Sequence, residues 1–151
     1  MKWQLVENPP AATYVLVLDP DEETTEVLTA FVRARGLRAA QVTAVGAFKR
    51  AVVGWFDRDE KDYRRIPVEE QCEVLSLVGD IAVGEEGPAP HVHAVLGLSD
   101  GTTRGGHLLE GEVWPTLEIV IRSSPATLVK TFRPEIGLAL IDPSKEWHHA
   151  G

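Results

Sequence analysis

Cysteine is almost missing from this 151-residue chain, which carries a single one, Cys72. No intramolecular disulfide can form, so the fold must be held by its core, and a reducing cytoplasm is the expected location. Cys72 stands among apolar neighbours in QCEVLSLVG, which suits a half-buried packing residue better than a nucleophile. Basic residues are also scarce. Fifteen Lys and Arg face 23 Asp and Glu, for a net charge of −8. A protein that neutralises phosphates normally presents a basic face. The nearest local excess, RDEKDYRR from Arg58 to Arg65, offsets four bases with three acids. Nucleic-acid binding by this chain alone is therefore disfavoured. Long apolar runs are missing too: none approaches the roughly 20 residues that span a bilayer, so no membrane partner is expected. The opening MKWQLVENPP lacks the apolar stretch of a secretory signal.

A hydrophobic share of 44% with 25% charged residues places the chain among globular proteins. The length suits one domain, residues 1–151, with a core over about 13–142 and a tail over about 143–151. Thirteen Gly and ten Pro imply many turns and a strand-rich fold. TYVLVLD, from Thr13, reads as a buried strand. A helix is predicted over about 20–36, with Asp19 as N-cap, Pro20 in its first turn and Glu22 three residues after the cap. Val27, Leu28, Phe31 and Val32 form its apolar stripe, and Gly36 stops it. The acids Asp21, Glu22 and Glu23 complement the helix dipole rather than bind a metal.

From Ala39 the texture is that of strands: AAQVTAVGAF, RAVVGWF, DYRRIPV, CEVLSLVGDIAV, HVHAVLGL, TRGGHLL, TLEIVIRS and GLALI. No tight-turn signal separates the first two, so a bulge or bend is expected near Ala47. Around Pro67 to Gln71 a single helical turn is the most that fits. The predicted class is α+β, a mainly antiparallel sheet with one principal helix packed on one face.

Three of the five histidines lie between positions 91 and 107. His91 and His93 are two apart on a strand and leave the same face. The position of His107 depends on the turn. A two-residue Asp-Gly turn sets it opposite Ala94, on the other face. A three-residue Ser99-Asp100-Gly101 loop sets it opposite His93, and a bulge at Gly105-Gly106 restores that outcome from the shorter turn. Facing positions have Cβ atoms about 4.5–5.5 Å apart. That spacing lets imidazole nitrogens meet one ion at about 2.0–2.1 Å, the range for zinc. Gly105 and Gly106 allow close backbone approach beside such a site. Glu110 and Glu73 are the candidate carboxylates for orienting a histidine or acting as general base. Satisfied strand histidines are the ordinary alternative. His148 and His149 read as part of a tail rather than as ligands.

The segments VTAVGAFKRAVVGWFD, EEQCEVLSLVGDIA and HVHAVLGLSDGTTRGGHLLEGEVWPTLEIVI together resemble the PPC domain, the plant and prokaryote conserved domain. The likeness runs from Tyr14 to about Ile141 and is that of a stand-alone prokaryotic member, a type often labelled DNA-binding. It implies an α+β fold, a homotrimer and, in some members, zinc or another divalent transition metal held by histidines matching His91, His93 and His107. The plant proteins carry an Arg-Gly-Arg-Pro core for the minor groove. Nothing here replaces it, since Lys49-Arg50 and Arg64-Arg65 are isolated pairs. The plant Gly-Arg-Phe-Glu-Ile-Leu motif corresponds to QCEVLSL, which keeps Glu73 and Leu75 but lacks the Arg and Phe.

Three functions follow as expectations. The first is a homotrimeric module that binds a metal, a small-molecule ligand or a partner through the histidine site. The second is the DNA-binding regulator of the family label, and the third a zinc-dependent hydrolase with Glu110 or Glu73 as candidate general base. Binding without catalysis is the favoured reading. Trp55 and Trp114 are candidates for subunit interfaces, with core packing as the more ordinary role of each.

Overall fold

The computed structural model describes residues 1–7 and 11–145, and for residues 2–7 the backbone alone. Along the chain, β1 (Lys2–Glu7) and β2 (Thr13–Leu18) precede the helix α1 (Thr24–Arg35). Then come β3 (Ala40–Asp57), β4 (Asp62–Val68), β5 (Cys72–Gly84), β6 (Gly87–Gly97), β7 (Thr103–Ser123), β8 (Lys130–Arg133) and β9 (Leu138–Ile141). The first seven strands form an antiparallel sheet in the order β1-β2-β7-β6-β5-β3-β4, and β8 and β9 make a separate hairpin. β3 pairs with β7 as well as with β5, while β6 joins β5 to β7, so the sheet closes on itself.

Closure is possible because the two longest strands bend. β3 slips register between Ala44 and Gly46 against β5, and between Gly46 and Phe48 against β7. These shifts lie at the bend anticipated near Ala47, and a bulge of this kind increases local twist and turns a strand from one partner to the next. Up to Phe48 the neighbour of β3 is β5; from Ala51 it is β4. β7 runs unbroken where the sequence reads as two strands, TRGGHLL and TLEIVIRS, because its pairing with β3 spans the join. β1 and β8 were not anticipated. Both are short and border the main body, where hydrophobic alternation is weakest. Pro67 lies inside β4 and no helical turn follows it.

The core fills the space between the closed sheet and α1. Leu28, Phe31 and Val32 of the helix meet Leu16, Leu77, Ile81, Leu96, Leu117 and Ile119, all buried. Cys72 belongs to this core, and burial pushes its thiol up to about 11, which removes it as a nucleophile at neutral pH.

The helix starts later than the sequence suggests. Its N-cap is Glu23, whose carboxylate accepts a hydrogen bond from the Glu26 amide at 2.8 Å. Asp19 to Glu22 instead form a turn, with Asp21 at φ +65°. Tertiary contacts select Glu23, because its second oxygen accepts from the Gly111 amide of β7 at 2.8 Å. Thr24 completes the latch: its hydroxyl donates to the Gly111 carbonyl at 2.8 Å, and the residue is fully buried. Gly36 ends the helix in the left-handed conformation, as expected.

Replacing Thr24 by Val keeps the shape and removes the donor. Thr24→Val is expected to lower unfolding stability by about 1–3 kcal/mol, read as a shifted urea midpoint. An unchanged midpoint would show that the latch contributes nothing.

Candidate metal centre

The hairpin joining β6 to β7 decides where His107 lies. Leu98 and Thr102 close it, with the Leu98 amide donating to the Thr102 carbonyl at 2.9 Å and the Gly101 amide to the Leu98 carbonyl at 3.0 Å. This is the three-residue Ser99-Asp100-Gly101 loop. Gly101 has φ +83°, a conformation side-chain-bearing residues rarely adopt. Asp100 stiffens the loop by accepting from both the amide and the hydroxyl of Thr102, at 2.8 and 2.6 Å, and these bonds hold its carboxyl below the usual range. From this closure the register follows without a slip: Gly97 faces Thr103, and His93 faces His107.

The imidazoles of His91, His93 and His107 therefore share one face, each offering a ring nitrogen within 4.8 Å of the others. The Nε2 atoms of His91 and His93 are 3.3 Å apart. Ring centroids stand 5.1 Å apart for His91–His93, 5.1 Å for His91–His107 and 5.4 Å for His93–His107. Burial grades across the cluster, with His93 exposed and the other two half-buried.

The surroundings bias His107 and His93 toward neutrality. Burial lowers His107 to about 4, helped by the neighbouring His91, His93 and Lys130. His93 is lowered as well, by burial first and His91 second. Neutral imidazole is the form that ligates metal. The Nδ1 of His107 is buried with no hydrogen-bond partner among the described residues, and an unmet buried nitrogen is costly. A coordinated cation would satisfy a nitrogen of this kind. The donor set therefore fits zinc or a similar ion.

Three residues not singled out from the sequence complete the surroundings. Tyr63 of β4 stacks on His107, with ring centroids 4.7 Å apart and planes 20° apart. Gly54, opposite His107 in β3, makes room for the tyrosine: a Cβ there would stand 2.8 Å from the Tyr63 ring. Asp80 lies directly opposite His91 in the β5–β6 pair, its Oδ2 3.4 Å from the His91 Nδ1. The His91 contact holds the Asp80 carboxyl below its ordinary value, against the opposing effect of burial. The sequence did carry a signal for Asp80. Gly84 and Gly87 bracket a two-residue Glu-Glu turn, and counting back from it sets Asp80 beside His91.

The carboxylates proposed from sequence lie elsewhere. Glu110 stays on the outward face with His107, because the register shifts between Leu108 and Glu110, but its side chain pairs with Arg65. Glu73 is exposed and sits opposite Gly97, four residues beyond His93 along β6. Gly106 and Gly105 do bring backbones together, but strand to strand. A Cβ on Gly106 would stand 2.5 Å from the Gly54 carbonyl, and one on Gly105 would stand 3.0 Å from the Ala94 carbonyl. The tryptophans are surface residues rather than core: Trp55 and Trp114 are 54% and 46% exposed. The Arg64 guanidinium covers Trp55 at 5.3 Å from its ring. His148 and His149 lie outside the described residues.

A pH dependence follows from His107. The free side chain protonates near 6.5 and the folded one at about 4. Between these values the unfolded chain takes up a proton that the folded chain refuses, so stability falls as pH drops from 6.5 toward 4. Urea unfolding of the chelator-treated protein at pH 7, 6 and 5 is expected to show this loss, and His107→Gln to flatten it. Parallel pH profiles for the two proteins would refute the assignment.

The sequence from residue 6 to 125 matches the model of the Plants and Prokaryotes Conserved (PCC) domain. No curated protein matches the chain. Among solved structures, a plant- and prokaryote-conserved (PPC) protein of Pyrococcus horikoshii is 28% identical, covering 95% of this chain and 96% of its own, with a TM-score of 0.81. A metal-containing protein of Archaeoglobus fulgidus is 29% identical over 93% of this chain and 96% of its own, with a TM-score of 0.79. A candidate DNA-binding protein of Ralstonia eutropha is 25% identical over 85% of this chain and 90% of its own, with a TM-score of 0.79. With the family model spanning most of the sequence and the same fold in these structures, the chain belongs to the Plants and Prokaryotes Conserved domain family.

Proposed function

We propose that this protein is a self-associating, metal-binding module in which His91, His93 and His107 hold zinc or another divalent transition ion. The observation that carries this reading is the convergence of three imidazoles on one face of a rigid sheet, with burial favouring the neutral form of His93 and His107. A relative of similar length and fold described as metal-containing supports it. An ion held by three histidines keeps a position for an exchangeable ligand, where zinc acts as a Lewis acid toward water or a small anion. Binding is preferred over hydrolysis because Glu110 is committed to Arg65 and Glu73 lies along the sheet from the cluster. The name of the Ralstonia relative favours a DNA-binding role. The net charge of −8 weighs against it.

Self-association, as a homotrimer, draws its support from the outer face of the sheet. Val120 faces Thr43, Thr43 faces Val78, and Val78 faces His93, one row across four strands. Val78 is 50% exposed, and Val45, Val95, Val120 and Leu75 on the same side are exposed as well. A run of apolar side chains this open to water is characteristic of an interface. Its edge borders the histidines. Among the described residues no helix is long and apolar enough to cross a membrane.

Metal analysis of the purified protein is expected to find about one ion per chain, lost in His93→Ala and His107→Ala while circular dichroism stays that of the wild type. No metal in the wild type after supplementation with zinc, cobalt or nickel would overturn the assignment. Sedimentation at micromolar concentration is expected to give a trimer, and the double substitution Val78→Glu, Val120→Glu to give smaller species. A monomeric wild type would refute self-association.

A further inference from the structure

His91 differs from the other two histidines in having both ring nitrogens engaged. Its Nε2 points to His93 at 3.3 Å, into the cluster, while its Nδ1 points away to the Asp80 carboxylate at 3.4 Å. We infer that Asp80 is a positioning residue for the metal centre: it fixes His91 as the tautomer protonated on Nδ1 and leaves Nε2 free to bind an ion. The inference rests on the metal reading above and adds to it a fourth side chain, from a different strand.

The chemistry allows one tautomer. An ionised carboxylate only accepts hydrogen bonds, so the ring nitrogen facing it must carry the proton. The other nitrogen is then a lone pair aimed at the cluster, and the hydrogen bond raises its basicity. The strand pairing sets this geometry. Asp80 and His91 are direct partners in an antiparallel pair, so their side chains leave the same face at the same level. Asp80 is itself held from behind. Its Oδ1 is buried and makes no hydrogen bond, yet lies 3.4 Å from the Nζ of Lys130, whose side chain is only 14% exposed. Lys130 opens β8 and is carried there by the preceding turn, where the Val83 amide of β5 donates to the Leu128 carbonyl at 2.8 Å. The lysine offsets the carboxylate charge that the half-buried site would otherwise leave uncompensated. The C-terminal hairpin thus serves the metal centre through one cation, without contributing a ligand.

Asp80→Asn tests the inference because an amide is nearly the same shape but can present either a donor or an acceptor to the ring. Nitrogen-15 NMR of the imidazoles in metal-free protein at pH 8 is expected to show His91 protonated on Nδ1 alone, and Asp80→Asn to show both tautomers. Zinc affinity, by competition with a chromophoric chelator, is expected to fall about 10–100-fold in Asp80→Asn. A wild-type His91 protonated on Nε2 would overturn the inference, as would an unchanged zinc affinity in the variant. The outcomes separate the two claims. A wild type that binds no zinc refutes the metal reading, while the tautomer of His91, measured without metal, still decides the role of Asp80. If Asp80→Asn fails to fold, the wild-type tautomer alone makes that decision.

Discussion

The register of β6 between its two neighbours is the constraint on which the candidate site depends. A slip of one residue in an antiparallel pair sends every side chain to the other face. With β6 displaced against β7, His107 would turn inward, away from His93. With β6 displaced against β5, Asp80 would lose His91. Both pairings are pinned by turns at their ends: the Gly84–Gly87 turn on one side and the Leu98–Thr102 closure on the other. Because β6 is also held along its inner face by the buried Val92, Ala94 and Leu96, the register cannot relax without exposing core.

Around that register the site is built from unequal environments. Tyr63 and burial press on His107, which stays neutral well below neutral pH, whereas His93 stands open at the surface. His91 sits between a carboxylate and the cluster. Such a gradient favours deprotonated His93 and His107 while leaving one side accessible to a ligand. The gaps that make it possible are missing side chains. Gly54 admits the Tyr63 ring, and Gly106 lets β7 lie against β3. The same packing explains why the sheet can close: bends in β3 bring two ends of one strand to different neighbours, and the helix is tied to the far strand by Glu23 and Thr24.

Much of the sheet was legible because half-buried strands alternate and turns announce themselves. The bend at Ala47, the stripe of α1 and the burial of Cys72 all follow from local pattern. The start of α1 was misread for a physical reason: Asp19 and Glu22 satisfy the local rules for a cap, but Glu23 satisfies Gly111 as well, and a contact 88 residues away in sequence outweighs propensity. The tryptophans were misjudged for a related reason. Trp55 alternates with the buried Ala51 and Val53, yet it lies near the end of β3, exposed and covered by an arginine of the next strand, and periodicity does not say where the core stops. Glu110 is near His107 in sequence, but its side chain is committed to Arg65 of β4.

By itself the sequence determined the class of fold, the hairpin that carries the three histidines and the residue types able to bind a metal. These depend on patterns with a range of a few residues, namely alternation, turn chemistry and the donor atoms of histidine. It left His107 with two possible placements, reached by three turn geometries. Tertiary structure chose among them through one hydrogen-bonded loop, and it alone assembled His107, Gly54, Tyr63, His91, Asp80 and Lys130 from five strands of the closed sheet and a distant hairpin. Contacts between residues that far apart along the chain are set by how the strands twist and close, which no short stretch of sequence encodes.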